Sequence, residues 1–162
     1  MEILIDYDMT ALSSSLFDEI KGCYPTEGCS FEDFLGNTQV AGSLVYCLRQ
    51  LEKCGISYGF FTRDEEGFKD LSSFMRRVSD VRIFRLMPSC KHFKGFVNDI
   101  PESTDVIVTS DAVLTGIACN VFHVIYMGKK KPSRISGNGF CRADCFSQLP
   151  MLISDMRLKL AC

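Results

Sequence analysis

The chain has 162 residues, 46% of them apolar and 23% charged, a mixture that buries one hydrophobic core and excludes a largely disordered polymer. A formal net charge of −2 supplies no electrostatic footprint for nucleic acid or an anionic membrane as a default partner. The opening MEILIDYDMT has no basic leader, and no apolar run reaches the ~20 residues of a spanning helix, so the expectation is a soluble, cytoplasmic protein with no membrane partner.

In chain order, Ile3-Leu4-Ile5 opens a first strand. Leu44, Cys47, Leu48 and Leu51 recur at helical spacing and stop at Gly55, a residue suited to the C′ position of a helix. Ile56 to Phe61 reads as a second strand; Phe68, Leu71, Phe74, Met75 and Val78 mark a helix face. Val81 to Leu86 is a third strand, and Lys91 to Ile100 has the pattern of a short helix. Asp105 to Thr109 is a fourth strand, Ala112 to Asn120 a helix, Val121 to Met127 a fifth strand, and Leu149 to Leu160 a closing helix. Strands alternating with helices imply a parallel sheet covered on both faces, hence a single α/β domain spanning 1–162. Two stretches break the alternation. Residues 11–43 read as a small cap or insert, and residues 129–147, basic and then Gly-rich, as a long loop or a short edge hairpin.

Nine cysteines and two histidines contain no C-x-x-C pair, so zinc-ligand spacing is absent. An odd number of scattered thiols fits reduced core residues better than a disulfide framework. Gly137-Asn138-Gly139 lacks a preceding strand and the G-x-G-x-x-G spacing, and GKKKPS lacks the upstream glycine of a phosphate-binding loop.

In parallel sheets reactive groups gather beyond the carboxyl ends of the strands. That rule selects Asp6, Asp8, Thr62 and Arg63, Ser110 and Asp111, and Gly128 with the lysines after it. Asp6 and Asp8 at i and i+2 share a strand face, and such a pair binds a hard cation or divides attack from proton transfer. Thr62 offers a hydroxyl to a phosphate oxygen, Asp111 a further carboxylate for a Mg²⁺ site, and Lys91 or Lys94 a charge to offset phosphate. Each also has a plain structural reading: an aspartate capping a helix, a threonine in a turn, a solvated lysine.

ILIDYDMTAL resembles the first motif of the haloacid dehalogenase-like (HAD) phosphatase superfamily, an apolar strand followed by D-x-D-x-T. LVYCLRQLEKCGISYGFFTRD is similar to the second motif, TDVIVTSDAVLTGIACNVFHVIYMG to the fourth-motif region, and RADCFSQLPMLISDM to the family's last helix. The resemblance implies a HAD-like, Rossmann-like three-layer sandwich with a five-stranded, mainly parallel sheet and a minimal cap or none. It implies a hydrolase acting on phosphate monoesters with Mg²⁺ as cofactor. Asp6 would be the nucleophile and Asp8 the general acid/base. Thr62 would hold the phosphoryl group, and Lys91 (or Lys94) would offset its charge. Asp6, the backbone carbonyl of Asp8, and Asp111 would hold the metal. The sequence departs from the pattern after Asp111, where Thr115-Gly116 stands in place of a second acid.

Two alternatives remain open on the residues. The chain also resembles metal-dependent nucleases of the PIN or NYN type, which place aspartates at the ends of strands one and four; Asp64, Glu65 and Asp70 are then candidates for a further acid, and the Lys129–Lys131 run with Arg134 would meet RNA phosphates. A non-catalytic interaction module on the same sheet is the other.

Overall fold

Ile3 and Ile5 project to one side of a central strand and Leu4 to the other, and all three are fully buried. A strand apolar on both faces needs cover on both, which a parallel sheet between helical layers provides. The computed structural model describes residues 1–7, 42–63, 82–85, 99–129 and 139–160. Within them the elements are β1 (Glu2–Asp6), α1 (Gly42–Lys53), β2 (Ser57–Thr62), β3 (Arg82–Arg85), β4 (Thr104–Thr109), α2 (Ala112–Ala118), β5 (His123–Tyr126), β6 (Phe140–Arg142) and α3 (Leu149–Leu160).

The six strands pair in the order β3-β2-β1-β4-β5-β6, every pair parallel. The chain therefore moves outward from β1 through β2 to β3, then returns to β1's other side and proceeds through β4 to β6. The crevice at this reversal of direction, beyond the carboxyl ends of β1 and β4, is where parallel α/β sheets bind ligands. The α/β expectation holds, with one more strand than the sequence showed. β6 lies within the stretch read as a loop or edge hairpin, yet it runs parallel to β5, so the two strands do not form a hairpin. Three residues, Phe140-Cys141-Arg142, are too short to carry a period-two signal.

The helices divide between the faces. Cys47, Leu48 and Leu51 of α1 and Leu149, Ile153 and Met156 of α3 pack with Ile3, Ile5, Phe60, Val106, Val108 and Ile125 on one side. Leu114 and Ala118 of α2 pack with Leu4, Phe61, Ile107 and Val124 on the other. α3 begins with Pro150 in its first turn, where a missing N–H leaves no helical bond unmade. Cys47 and Cys119 are buried and Cys54 and Cys145 exposed, all free thiols. Burial pushes the Cys47 thiol up to about 12, so it stays protonated and serves as a small core residue. Among the described residues no helix is long and apolar enough to cross a membrane. The expected helix around residues 68–78, residues 91–98 of the one expected over Lys91 to Ile100, and residues 11–41 of the proposed insert lie outside the described residues.

Gly55 ends α1 as the sequence predicts. Its N–H donates to the Glu52 carbonyl at 2.9 Å and the next N–H, of Ile56, reaches the Leu51 carbonyl at 2.9 Å. This pair of bonds is a Schellman motif, completed by the packing of Leu51 and Ile56 in the same core cluster. Gly55 has φ +65°, and a methyl group there would meet nothing within 4 Å. Gly55→Ala is thus expected to be a purely conformational penalty of about 1 kcal/mol, lowering Tm by roughly 2–4 °C in a thermal melt, without altering the site. An unchanged Tm would show that the left-handed turn is not required.

Candidate functional site

Asp6 closes β1 with its side chain on the α2 side of the sheet, the side of Leu4, and it is 1% exposed. Placing a carboxylate this deep carries a desolvation penalty unless its oxygens find partners. Thr109, the last residue of the neighbouring β4 and itself fully buried, donates its hydroxyl to Asp6 Oδ2 at 2.5 Å. The same Thr109 oxygen accepts the backbone N–H of Asp111 at 3.1 Å. That incoming bond turns the hydroxyl proton toward Asp6.

Asp111 uses its two carboxylate oxygens for different tasks. Oδ1 accepts from the backbone N–H of Val113 at 2.8 Å and of Leu114 at 3.0 Å, capping α2. Oδ2 accepts from Arg63 Nη1 at 2.6 Å, while Arg63 Nη2 lies 3.8 Å from Asp6 Oδ2. One guanidinium, 37% exposed, therefore faces both carboxylates. Desolvation alone raises the Asp111 carboxyl. The Leu114 N–H, the hydrogen bond and charge of Arg63 and the Val113 N–H outweigh it and hold the group below the ordinary carboxylate range.

Of the residues singled out in the sequence, the fold brings Asp6 and Asp111 together in the crevice between β1 and β4. Thr62 is fully buried at the end of β2. Phe60 packs on the α1 side and Phe61 on the α2 side, so strand alternation turns Thr62 toward α1, away from the Asp6 carboxylate. Arg63, one residue further, returns to the Asp6 side. Asp8, Lys91 and Lys94, together with Asp64, Glu65, Asp70 and the basic residues from Lys130 to Arg134, lie outside the described residues. Gly128 sits beside the crevice, where a methyl group would overlap the Tyr126 hydroxyl and stand 2.7 Å from the Ser110 carbonyl oxygen.

The residue that sequence reasoning missed is Thr109. A threonine at the end of an apolar strand reads as filler, and only the register of β4 against β1 sets it opposite Asp6. Arg63 was visible as a strand-end residue, but nothing in its spacing pointed to a bridge between two aspartates 105 positions apart.

Among the described residues no group of three or more His, Cys, Asp or Glu side chains is gathered in a metal-binding arrangement. The donor set is a pair, Asp6 and Asp111, whose Oδ2 atoms both face a single cationic group. Carboxylate oxygens are the donors that a hard divalent ion takes; here Asp111 Oδ2 is engaged by Arg63 Nη1 at 2.6 Å, and Asp6 Oδ2 lies 3.8 Å from Nη2. Comparisons with protein-family models, with curated proteins and with solved structures found no match.

Two outcomes follow. Thr109→Val keeps the shape and removes the hydroxyl, leaving Asp6 buried with one donor fewer; destabilisation of roughly 1–3 kcal/mol is expected in urea unfolding, with Thr109→Ser close to wild type. Because folding depresses the Asp111 carboxyl, its contribution is full above the unfolded value of about 3.9 and is lost as pH falls through the folded value. The stability gap between wild type and Asp111→Asn, measured by chemical denaturation, should therefore be constant near neutrality and narrow below about pH 4.

Proposed function

We propose that the chain is a phosphohydrolase of the haloacid dehalogenase-like plan, cleaving a phosphate monoester through an aspartyl-phosphate on Asp6. The observation that supports this reading is the convergence of the Asp6 and Asp111 carboxylates, from β1 and β4, on one cation at the switch point of the sheet. In the first step an Asp6 oxygen attacks phosphorus and the ester P–O bond breaks, while Asp8 gives a proton to the leaving alkoxide. In the second, Asp8 takes a proton from water, whose oxygen attacks phosphorus and releases phosphate and the Asp6 carboxylate.

Thr109 orients the nucleophile by occupying one side of Oδ2. With Thr62 turned to the α1 side, the exit of β2 at Arg63 receives the phosphoryl oxygens, and Lys91 offsets their charge. Mg²⁺ held by Asp6, Asp111 and the backbone carbonyl of Asp8 would offset the repulsion between the Asp6 carboxylate and a phosphate dianion.

A second reading is favoured by the Arg63 bridge itself. If the ion pair to Asp111 is permanent, that carboxylate is withheld from a metal and the domain is a non-catalytic interaction module. One assay separates the readings: hydrolysis of an aryl phosphate with Mg²⁺, beside cleavage of single-stranded RNA. Ester hydrolysis that falls on the order of 10³-fold or more in Asp6→Asn supports the phosphohydrolase. RNA cleavage in its place selects a PIN-type nuclease, and inertness toward both selects the module.

A further inference from the structure

We propose that a recess between α3 and the amino ends of β5 and β6 is a second binding site, taking a single-ring aromatic molecule that carries a cationic nitrogen group. The recess has a volume of about 140 Å³, and its lining includes His123, Gly139, Cys141, Leu152, Asp155 and Met156. His123 opens β5, and Tyr126, which pairs with Thr109, closes it. The recess therefore lies roughly 10 Å along the strand from the crevice edge, and the proposal stands independently of the phosphohydrolase reading.

Strand alternation and helical spacing build the recess. Ile125 packs on the α1 and α3 side of the sheet, so His123, two residues before it, faces the same way. Cys141 is in register with Ile125 and packs against the same cluster. On α3, Leu152, Asp155 and Met156 stand at i, i+3 and i+4 and share the helix stripe that borders the recess. Gly139 leaves the flank of the imidazole open: a methyl group there would stand 3.3 Å from His123 Cδ2 and 3.2 Å from its Cα.

The lining is apolar below and polar above. Met156 is 8% exposed and, with Leu152 and Cys141, forms the floor. The half-buried His123 imidazole and the exposed Asp155 carboxylate supply polarity at the wall and the mouth. Among the described residues neither of these two side chains has a hydrogen-bond or ion-pair partner, so both are left to a ligand or to water. No three ligating side chains are gathered in a metal-binding arrangement among the described residues, which points to an organic occupant.

Size and charge narrow the occupant. An apolar cavity of about 150 Å³ accommodates benzene, so the space is one ring in size. The Met156 thioether favours an aromatic ring over an alkyl chain, since sulfur and ring edge attract one another. A carboxylate at the mouth favours a cationic substituent, an amidinium above all, whose two N–H groups match its two oxygens. An anionic ring would meet repulsion from Asp155.

The test is isothermal titration of benzamidinium, benzoate and benzyl alcohol into wild type, Asp155→Asn and Leu152→Trp, with circular dichroism establishing that each variant is folded. Wild type should bind benzamidinium with a Kd of about 1 mM or tighter, and benzoate about tenfold or more weakly than that. Asp155→Asn keeps the space and should weaken benzamidinium about tenfold while leaving the alcohol unchanged. Leu152→Trp fills the space and should abolish both; if that variant does not fold, the Asp155→Asn titration decides alone. Benzamidinium bound equally by wild type and Asp155→Asn, or no more tightly than benzoate, overturns the proposal. So does the absence of binding to wild type at about 10 mM. Hydrolysis at Asp6 is not touched by any of these results.

Discussion

The structure around the crevice depends on one constraint: a carboxylate, Asp6, sits at the end of the central strand with 1% exposure. A charged group there is tolerated only if neighbouring elements supply donors, and each donor fixes a piece of backbone. Thr109 ties the end of β4 to the end of β1. Arg63 ties the exit of β2 to both. Three strands that diverge by twist are thereby closed at one edge by side chains, beyond the reach of the ladder hydrogen bonds. At the opposite edge the sheet is held differently. A bulge between Glu2 and Ile3 against β4 leaves Asp105 as the extra residue, and its carboxylate accepts the Glu2 N–H at 2.9 Å while remaining largely in solvent. Both edges use aspartate, but only the carboxyl edge buries it.

Asp111 shows why the helix-cap and the site readings of a strand-end aspartate are not rivals. Capping α2 consumes one oxygen and fixes the plane of the carboxylate; the fixed plane then aims the other oxygen at Arg63. The Thr115 hydroxyl donates to the Asp111 carbonyl at 2.7 Å, so even the peptide carrying the cap is held from the following turn. Precision at the crevice comes from a rigid helix start, the cheapest source of a stationary anion in an α/β sheet.

The layered fold was legible because its signals are local. Ile3-Leu4-Ile5, the helical spacing of Leu44 to Leu51, the turn at Gly55 and the run Leu149 to Leu160 each state their own period, and Leu149–Leu160 is the helix observed. Asp6 and Asp111 were legible as strand-end acids by the general rule for parallel sheets. Thr109 and the role of Arg63 were not, since both depend on register and on strand order: β1 is flanked by β2 and β4 only because the chain doubles back. Thr62 shows the same limit from the other side. Its position after an apolar strand is correct, but the alternation of Phe60 and Phe61 decides which face it takes, and that face is the one lined by α1. β6 escaped notice because three residues hold no period; its parallel pairing is dictated by β5, not by its own sequence.

The two unequal distances from Arg63, 2.6 Å to Asp111 and 3.8 Å to Asp6, show how its charge is shared at the crevice. The guanidinium is anchored to the cap of α2 by a short hydrogen bond, and its longer contact reaches the buried carboxylate of the central strand. At Asp6 the Thr109 hydroxyl brings a dipole and the guanidinium a countercharge, so the two act together on one buried anion. Because the same guanidinium is held by the helix cap, the start of α2, the exit of β2 and the end of β1 are tied through one side chain.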